Sequence, residues 1–62
     1  MMAGKFELYQ DKSKDWRFRL KAGNGEIIAT GQGYASKSGA RSGIDSVKRN
    51  AADAEVVELG ED

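Results

Sequence analysis

Apolar and polar residues alternate along the first half of this chain and then change period. Phe6-Glu7-Leu8-Tyr9-Gln10 and Trp16-Arg17-Phe18-Arg19-Leu20-Lys21 step in twos, the pattern of half-buried strands. From Ala40 onward the apolar positions are Ala40, Ile44, Val47 and Ala51, one narrow stripe along a helix. The change falls at Gly33-Tyr34-Ala35-Ser36-Lys37. Ala54-Glu55-Val56-Val57-Glu58-Leu59 then reads as a short strand with apolar residues on both faces. The pattern predicts an α+β fold in a single domain, 1–62, ordered β-β-β-α-β. Its strands cover about 5–10, 15–22, 26–31 and 54–59 and its helix about 36–51. The first three strands form an antiparallel meander with the helix packed on it.

Connector residues refine this. Asp11-Lys12-Ser13-Lys14 is a polar turn that keeps the first two strands adjacent. Asn24-Gly25 predicts a type I′ turn with positive φ at both residues, pairing Gly23 with Glu26. That register places Ile27 toward the core and Ile28 on the outer face beside Lys21; a turn centred one residue earlier exchanges the two isoleucines. Gly31-Gln32-Gly33 lets the chain leave the sheet, and Ser36 is placed as the helix N-cap. Lys37, Arg41, Asp45, Lys48 and Arg49 form the solvated helix face, with Asp45 and Arg49 spaced for an ion pair. Gly39 and Gly43 each cost about 1 kcal/mol inside a helix, so something must pack closely where they remove bulk. Packing on the sheet is the default, and a partner helix is the alternative.

At 62 residues a lone core leaves little net stability, and without cysteine there is no disulfide to add to it. Oligomerisation is the expected support. Histidine is absent too, which removes the commonest general base and metal ligand. No pair among Ser, Lys, Tyr, Asp and Glu has a spacing that implies mutual activation, and the acids Asp53, Glu55, Glu58, Glu61 and Asp62 lack the spacing of a calcium loop. The expectation is a protein that is not an enzyme and takes no metal or cofactor. No apolar run is long enough to span a bilayer and Met1-Met2-Ala3-Gly4-Lys5 lacks the apolar stretch of a signal peptide, so a cytoplasmic protein without membrane contact is expected. Net charge is zero, yet all ten Lys and Arg lie in residues 1–49 and the last thirteen residues hold five acids and no base.

Two candidate binding sites emerge. Arg17, Arg19 and Lys21 share the outer face of the second strand with Tyr9 beside them, a basic stripe with one aromatic that suits nucleic acid. Glu7 lies on the same face, and cross-strand ion pairing accounts for the same residues. Gly31-x-Gly33-x-x-Ser36 superficially has the context of a phosphate-binding turn, but its third glycine is replaced and the preceding strand belongs to a hairpin. A weaker site for a small anion or peptide at Ser36 and Lys37 remains physically open. Trp16 and Tyr34 read as core or half-buried rings.

Taken in order, Lys5-Phe6-Glu7-Leu8-Tyr9, Trp16 to Lys21, Asn24-Gly25-Glu26-Ile27-Ile28-Ala29, Gly33-Tyr34-x-Ser36-Lys37 and the helix with Ala40, Gly43-Ile44 and Ser46-Val47-Lys48 resemble the YegP-like family of small bacterial and archaeal proteins. The resemblance covers nearly the whole chain. It implies a three-strand, helix, strand unit that occurs either as tandem repeats or as single units forming a homodimer. For this single unit it implies a homodimer with exchanged C-terminal strands, its interface at Val56, Val57 and Leu59. The family has no assigned function, so no catalytic residue carries over.

Overall fold

The computed structural model describes residues 3–60. Its elements are β1 (Lys5–Gln10), β2 (Trp16–Lys21), β3 (Ile27–Thr30) and α1 (Lys37–Ala51). The strands form one antiparallel sheet in the order β1-β2-β3. Cross-strand partners share a face, so Phe6 opposite Leu20 and Leu8 opposite Phe18 build the apolar side. Glu7 opposite Arg19 and Tyr9 opposite Arg17 build the other.

Both hairpins close the same way. The amide of Asp11 donates to the carbonyl of Asp15 at 2.9 Å and that of Lys14 to Asp11 at 2.9 Å, while Lys14 takes φ 68°. In the second hairpin Ala22 donates to Glu26 at 2.8 Å, Gly25 donates to Ala22 at 2.9 Å, and Gly25 takes φ 92°. Each is a three-residue loop ending in one left-handed residue. The type I′ expectation is therefore corrected: Ala22, not Gly23, pairs with Glu26, and Asn24 instead accepts the Glu26 amide on its Oδ1 at 3.0 Å. The longer loop shifts the register by one, and a bulge restores it. Lys21 lies opposite Ile27, Leu20 opposite Ala29, and Ile28 is the extra residue between. Ile27 thus does not enter the core, and both isoleucines are exposed.

Lysine at the left-handed position of the first loop costs what glycine at the second does not. Lys14→Gly is expected to raise stability by about 0.5–1 kcal/mol in urea unfolding.

After β3 the chain bends away and then returns to the sheet. Trp16 and Tyr34 exchange two backbone hydrogen bonds of 2.8 Å, so Tyr34 is fixed over the start of β2 before the helix begins. Ser36 caps α1, its Oγ accepting the Gly39 amide at 3.0 Å. The helix lies over β2 and β1 and makes no close approach to β3. Ala40 is fully buried beneath it and Phe18, at 5% exposure, is the large side chain at the centre. Phe6 meets the Phe18 ring edge-on at 6.0 Å between centroids, and Tyr34 stacks on it at 6.2 Å. The glycines of the helix find their reason in the Tyr34 ring. A side chain at Gly43 would collide with the Tyr34 hydroxyl end and approach Phe18 Cε2 to 3.3 Å, and one at Gly39 would lie 3.6 Å from the ring.

Beyond Ala51 the chain makes a turn at Ala52 and Asp53, and residues 54–60 are extended from the body without forming a strand. The fourth strand expected over about 54–59 is absent from the described residues of this single chain, where residues 54–60 are exposed and pair with no strand. Glu61 and Asp62 lie outside the described residues.

Candidate functional site

The outer face of the sheet, opposite α1, carries the basic stripe. The antiparallel register brings Lys5, Glu7 and Tyr9 of β1 beside Lys21, Arg19 and Arg17 of β2. Glu7 sits among three cations: Arg19 Nε donates to its Oε1 at 2.7 Å, Lys21 Nζ lies 3.4 Å from the same oxygen, and Lys5 Nζ lies 3.6 Å from Oε2. The Arg19 guanidinium also lies over the Tyr9 ring, 5.1 Å from its centroid. Arg17 reaches the first loop, its Nε donating to Asp11 Oδ2 at 2.6 Å. Asp11 Oδ1 accepts the amides of Ser13 and Asp15 at 2.9 and 3.0 Å, so one carboxylate both closes the turn and holds Arg17.

All four expected residues, Tyr9, Arg17, Arg19 and Lys21, are therefore brought together on one uncovered face. Each of the three cations is already paired with a carboxylate. The hydrogen bond from Arg19 holds the Glu7 carboxyl below its ordinary value, against the opposing effect of desolvation. The hydrogen bond from Arg17 does the same for Asp11, and the pairing raises Arg17 in return. A carboxyl whose folded pKa is depressed contributes stability above its unfolded pKa and loses it as pH falls through the folded one. Stability should therefore be level above the ordinary values of 4.5 for Glu7 and 3.8 for Asp11 and decline below them. Thermal unfolding followed between about pH 6 and pH 2 is expected to show this, with a flatter acid limb in the double variant Glu7→Gln, Asp11→Asn.

The helix start is differently arranged. Ser36 Oγ is engaged by Gly39 and lies 3.4 Å from Ser38 Oγ, and Lys37 Nζ lies over the Trp16 ring at 5.6 Å. Gly31 accommodates the Phe18 ring, and a side chain at Gly33 would press on Asp15, so these glycines serve packing. Two concavities lie elsewhere. One, of about 280 Å³, is lined by Ala3, Lys5 and the residues of the second hairpin loop. The other, of about 240 Å³, is a groove between β1 and α1 lined by Phe6, Leu8, Arg41, Ile44, Asp45 and Lys48.

This groove escaped the sequence reading, which put Arg41, Asp45 and Lys48 on the solvated helix face. No ion pair joins Asp45 to Arg49 among the described residues, and Lys48 turns instead to the Phe6 ring, 5.9 Å from its centroid. The signal available was that Arg41, Ile44, Asp45 and Lys48 themselves form a stripe at helical spacing, adjacent to the buried one. No cluster of acidic side chains suited to a metal occurs among the described residues. No helix among the described residues is long and apolar enough to cross a membrane.

Comparison with known proteins places this geometry in a family. Residues 11–58 match the family described as "Domain of unknown function (DUF1508)". A UPF0339 protein of Treponema denticola is 67% identical over 58 residues, covering 94% of this chain and 100% of its own length. A UPF0339 protein of Stutzerimonas stutzeri is 54% identical over 52 residues, covering 84% of this chain but 47% of its own, so the chain spans about half of that relative. The solution structure of a Haloferax volcanii protein, 50% identical, superimposes with a TM-score of 0.84 over 95% of this chain and 100% of that one. The meander, the capped helix and the sequence shared with these relatives lead to one assignment: the chain belongs to the DUF1508 (UPF0339) family of bacterial and archaeal proteins of unknown function, the same family as the YegP-like proteins it resembles.

Proposed function

We propose that this chain acts without catalysis, as a small cytoplasmic binding or structural module assembled as a homodimer by exchange of its C-terminal segment. The observation that carries the reading is the exposure of Val56, Val57 and Leu59, at 96%, 64% and 84%. Three apolar residues in a row of four, projecting into water, are an interaction surface rather than scattered exposure. The projection is visible in the dimensions: the radius of gyration is 13.6 Å, where a compact chain of this length has about 10–11 Å. The body has a corresponding deficit, with β3 uncovered by the helix and few residues fully buried. The Stutzerimonas relative, about twice as long as the stretch it shares, has room in one chain for what two copies would supply here.

Light scattering at micromolar concentration tests the assembly. The expected mass is twice the 6.7 kDa of one chain. A mass of 6.7 kDa would overturn it.

The outer sheet face favours a second reading. Tyr9, Arg17, Arg19 and Lys21 lie together on a surface that no helix covers, which supports contact with single-stranded nucleic acid. The opposing feature is the neutralisation of the cations by Glu7 and Asp11. Titration with a fluorescent single-stranded oligonucleotide should give salt-dependent binding, and absence of binding at low salt would sink this reading.

A further inference from the structure

We infer that Glu7 and Asp11 are positioning residues of a phosphate-binding face. Each grips one guanidinium at Nε and so leaves the Nη groups of Arg17 and Arg19 to the backbone of a single nucleic-acid strand. This rests on the single-strand reading above and names what prepares that face for its ligand.

Which nitrogen each acid takes is the telling detail. Arg19 Nε donates to Glu7 Oε1 at 2.7 Å, and Arg17 Nε donates to Asp11 Oδ2 at 2.6 Å. Most N–H donors of a guanidinium lie on its two Nη atoms, and among the described residues both arginines bond through Nε alone. The two side chains stay reachable, at 40% and 37% exposure. Each is also braced a second time. The Arg19 guanidinium lies over the Tyr9 ring, 5.1 Å from its centroid, and Asp11 is itself tied to the turn by the amides of Ser13 and Asp15. An arginine fixed beforehand loses less freedom on binding, and its planar fork matches the oxygens of a phosphate.

Spacing gives the site its direction. Arg17, Arg19 and Lys21 recur along one face of β2 about 7 Å apart, a row that can track an extended strand. With Lys5 there are four cations against Glu7 and Asp11, and Asp15 adds a weaker attraction on Arg17, so the face keeps positive charge after every pairing. A guanidinium stacked on one aromatic can take a base on its other side, which an acidic peptide cannot exploit. That favours a nucleic-acid strand as the occupant.

Glu7→Gln tests the role by the sign of its effect. If Glu7 only opposed the charge of the ligand, removing it would tighten binding. As a positioning residue, its removal frees Arg19 and should raise the Kd for a fluorescein-labelled oligothymidylate of about 12 nucleotides by about threefold to tenfold at low salt. In an Arg19→Lys background no guanidinium is held, and the same substitution should instead tighten binding. Asp11→Asn, which keeps Oδ1 for the turn amides, should repeat the pattern with Arg17→Lys. Far-UV circular dichroism should show every variant folded. Unchanged or tighter binding by Glu7→Gln in the parent background would overturn the positioning role and leave the single-strand reading standing. Weaker binding in both backgrounds would also overturn it, because a merely structural role does not depend on which cation stands at position 19. Poly-glutamate competing as well as the oligonucleotide at equal charge would overturn the choice of ligand. A parent protein that binds no strand at low salt would overturn this inference and the single-strand reading together.

Discussion

Phe18→Ala is expected to remove most of the stability of this domain. Phe18 is the large side chain at the centre, meeting Phe6 edge-on and stacked under Tyr34, and the backbones of Gly31 and Gly43 close in around its ring. Truncating a buried phenylalanine costs about 3–5 kcal/mol, because the lost transfer energy is joined by a cavity that the neighbours fill only in part. A chain of 62 residues has about 3–9 kcal/mol in all. Relaxation here is further limited, since Gly31 and Gly43 have no side chains to move inward. Urea unfolding followed by circular dichroism should place the variant at or near the threshold of folding. A loss below about 1 kcal/mol would mean that the core lies elsewhere, for instance at the dimer interface.

Gly43→Ala is expected to destabilise although alanine is the better helix former. The substitution gains about 1 kcal/mol of helix propensity. Against that, the added methyl would run into the end of the Tyr34 ring and come within 3.3 Å of Phe18 Cε2. Tyr34 cannot easily retreat, because its backbone is bonded on both sides to Trp16. Overpacking of this kind costs about 1–3 kcal/mol, so the net change should be a loss of up to about 2 kcal/mol. Gly39→Ala is the control. Its methyl would lie 3.6 Å from the same ring and 3.1 Å from Ser36 Oγ, so propensity and crowding nearly cancel and the change should stay under about 1 kcal/mol. Equal effects at the two glycines would remove the Tyr34 contact as the reason for either.

How far the sequence revealed these arrangements depended on the range of the interaction. Period-two alternation located β1 and β2 and which of their residues share a face, leaving the second turn to local chemistry. The turn itself was misread because Asn24-Gly25 fits a two-residue loop as well as the last two positions of a three-residue one. The decision fell to Asn24 Oδ1 binding the Glu26 amide and to a bulge at Ile28, neither of which a hydrophobic pattern records. Gly39 and Gly43 announced a close approach, but the aromatic that makes it, Tyr34, arrives through the isolated bridge to Trp16 rather than through any repeating pattern. The basic stripe was legible residue by residue, since Arg17, Arg19 and Lys21 alternate along one strand. Its neutralisation was only half legible: Glu7 lies in the facing strand, whereas Asp11 reaches Arg17 from within the turn. The groove was illegible because Arg41 and Lys48 are ordinary surface cations until the packing of the helix on the sheet sets Phe6 and Leu8 beside them.

The position of β2 between β1 and β3 has a consequence for how the molecule loosens. Its backbone is engaged on both flanks, to β1 along its length and to β3 and Tyr34 on the other side, while each neighbour is engaged on one flank only. Opening β3 or the C-terminal segment leaves the hairpin of β1 and β2 standing and frees only the β2 amides on that flank, such as Trp16, whose amide donates to Tyr34; those facing β1 are freed only when the second seam parts. Local fraying therefore begins at the margins, and within Trp16 to Lys21 the amides that face β1 outlast those that face β3 and Tyr34.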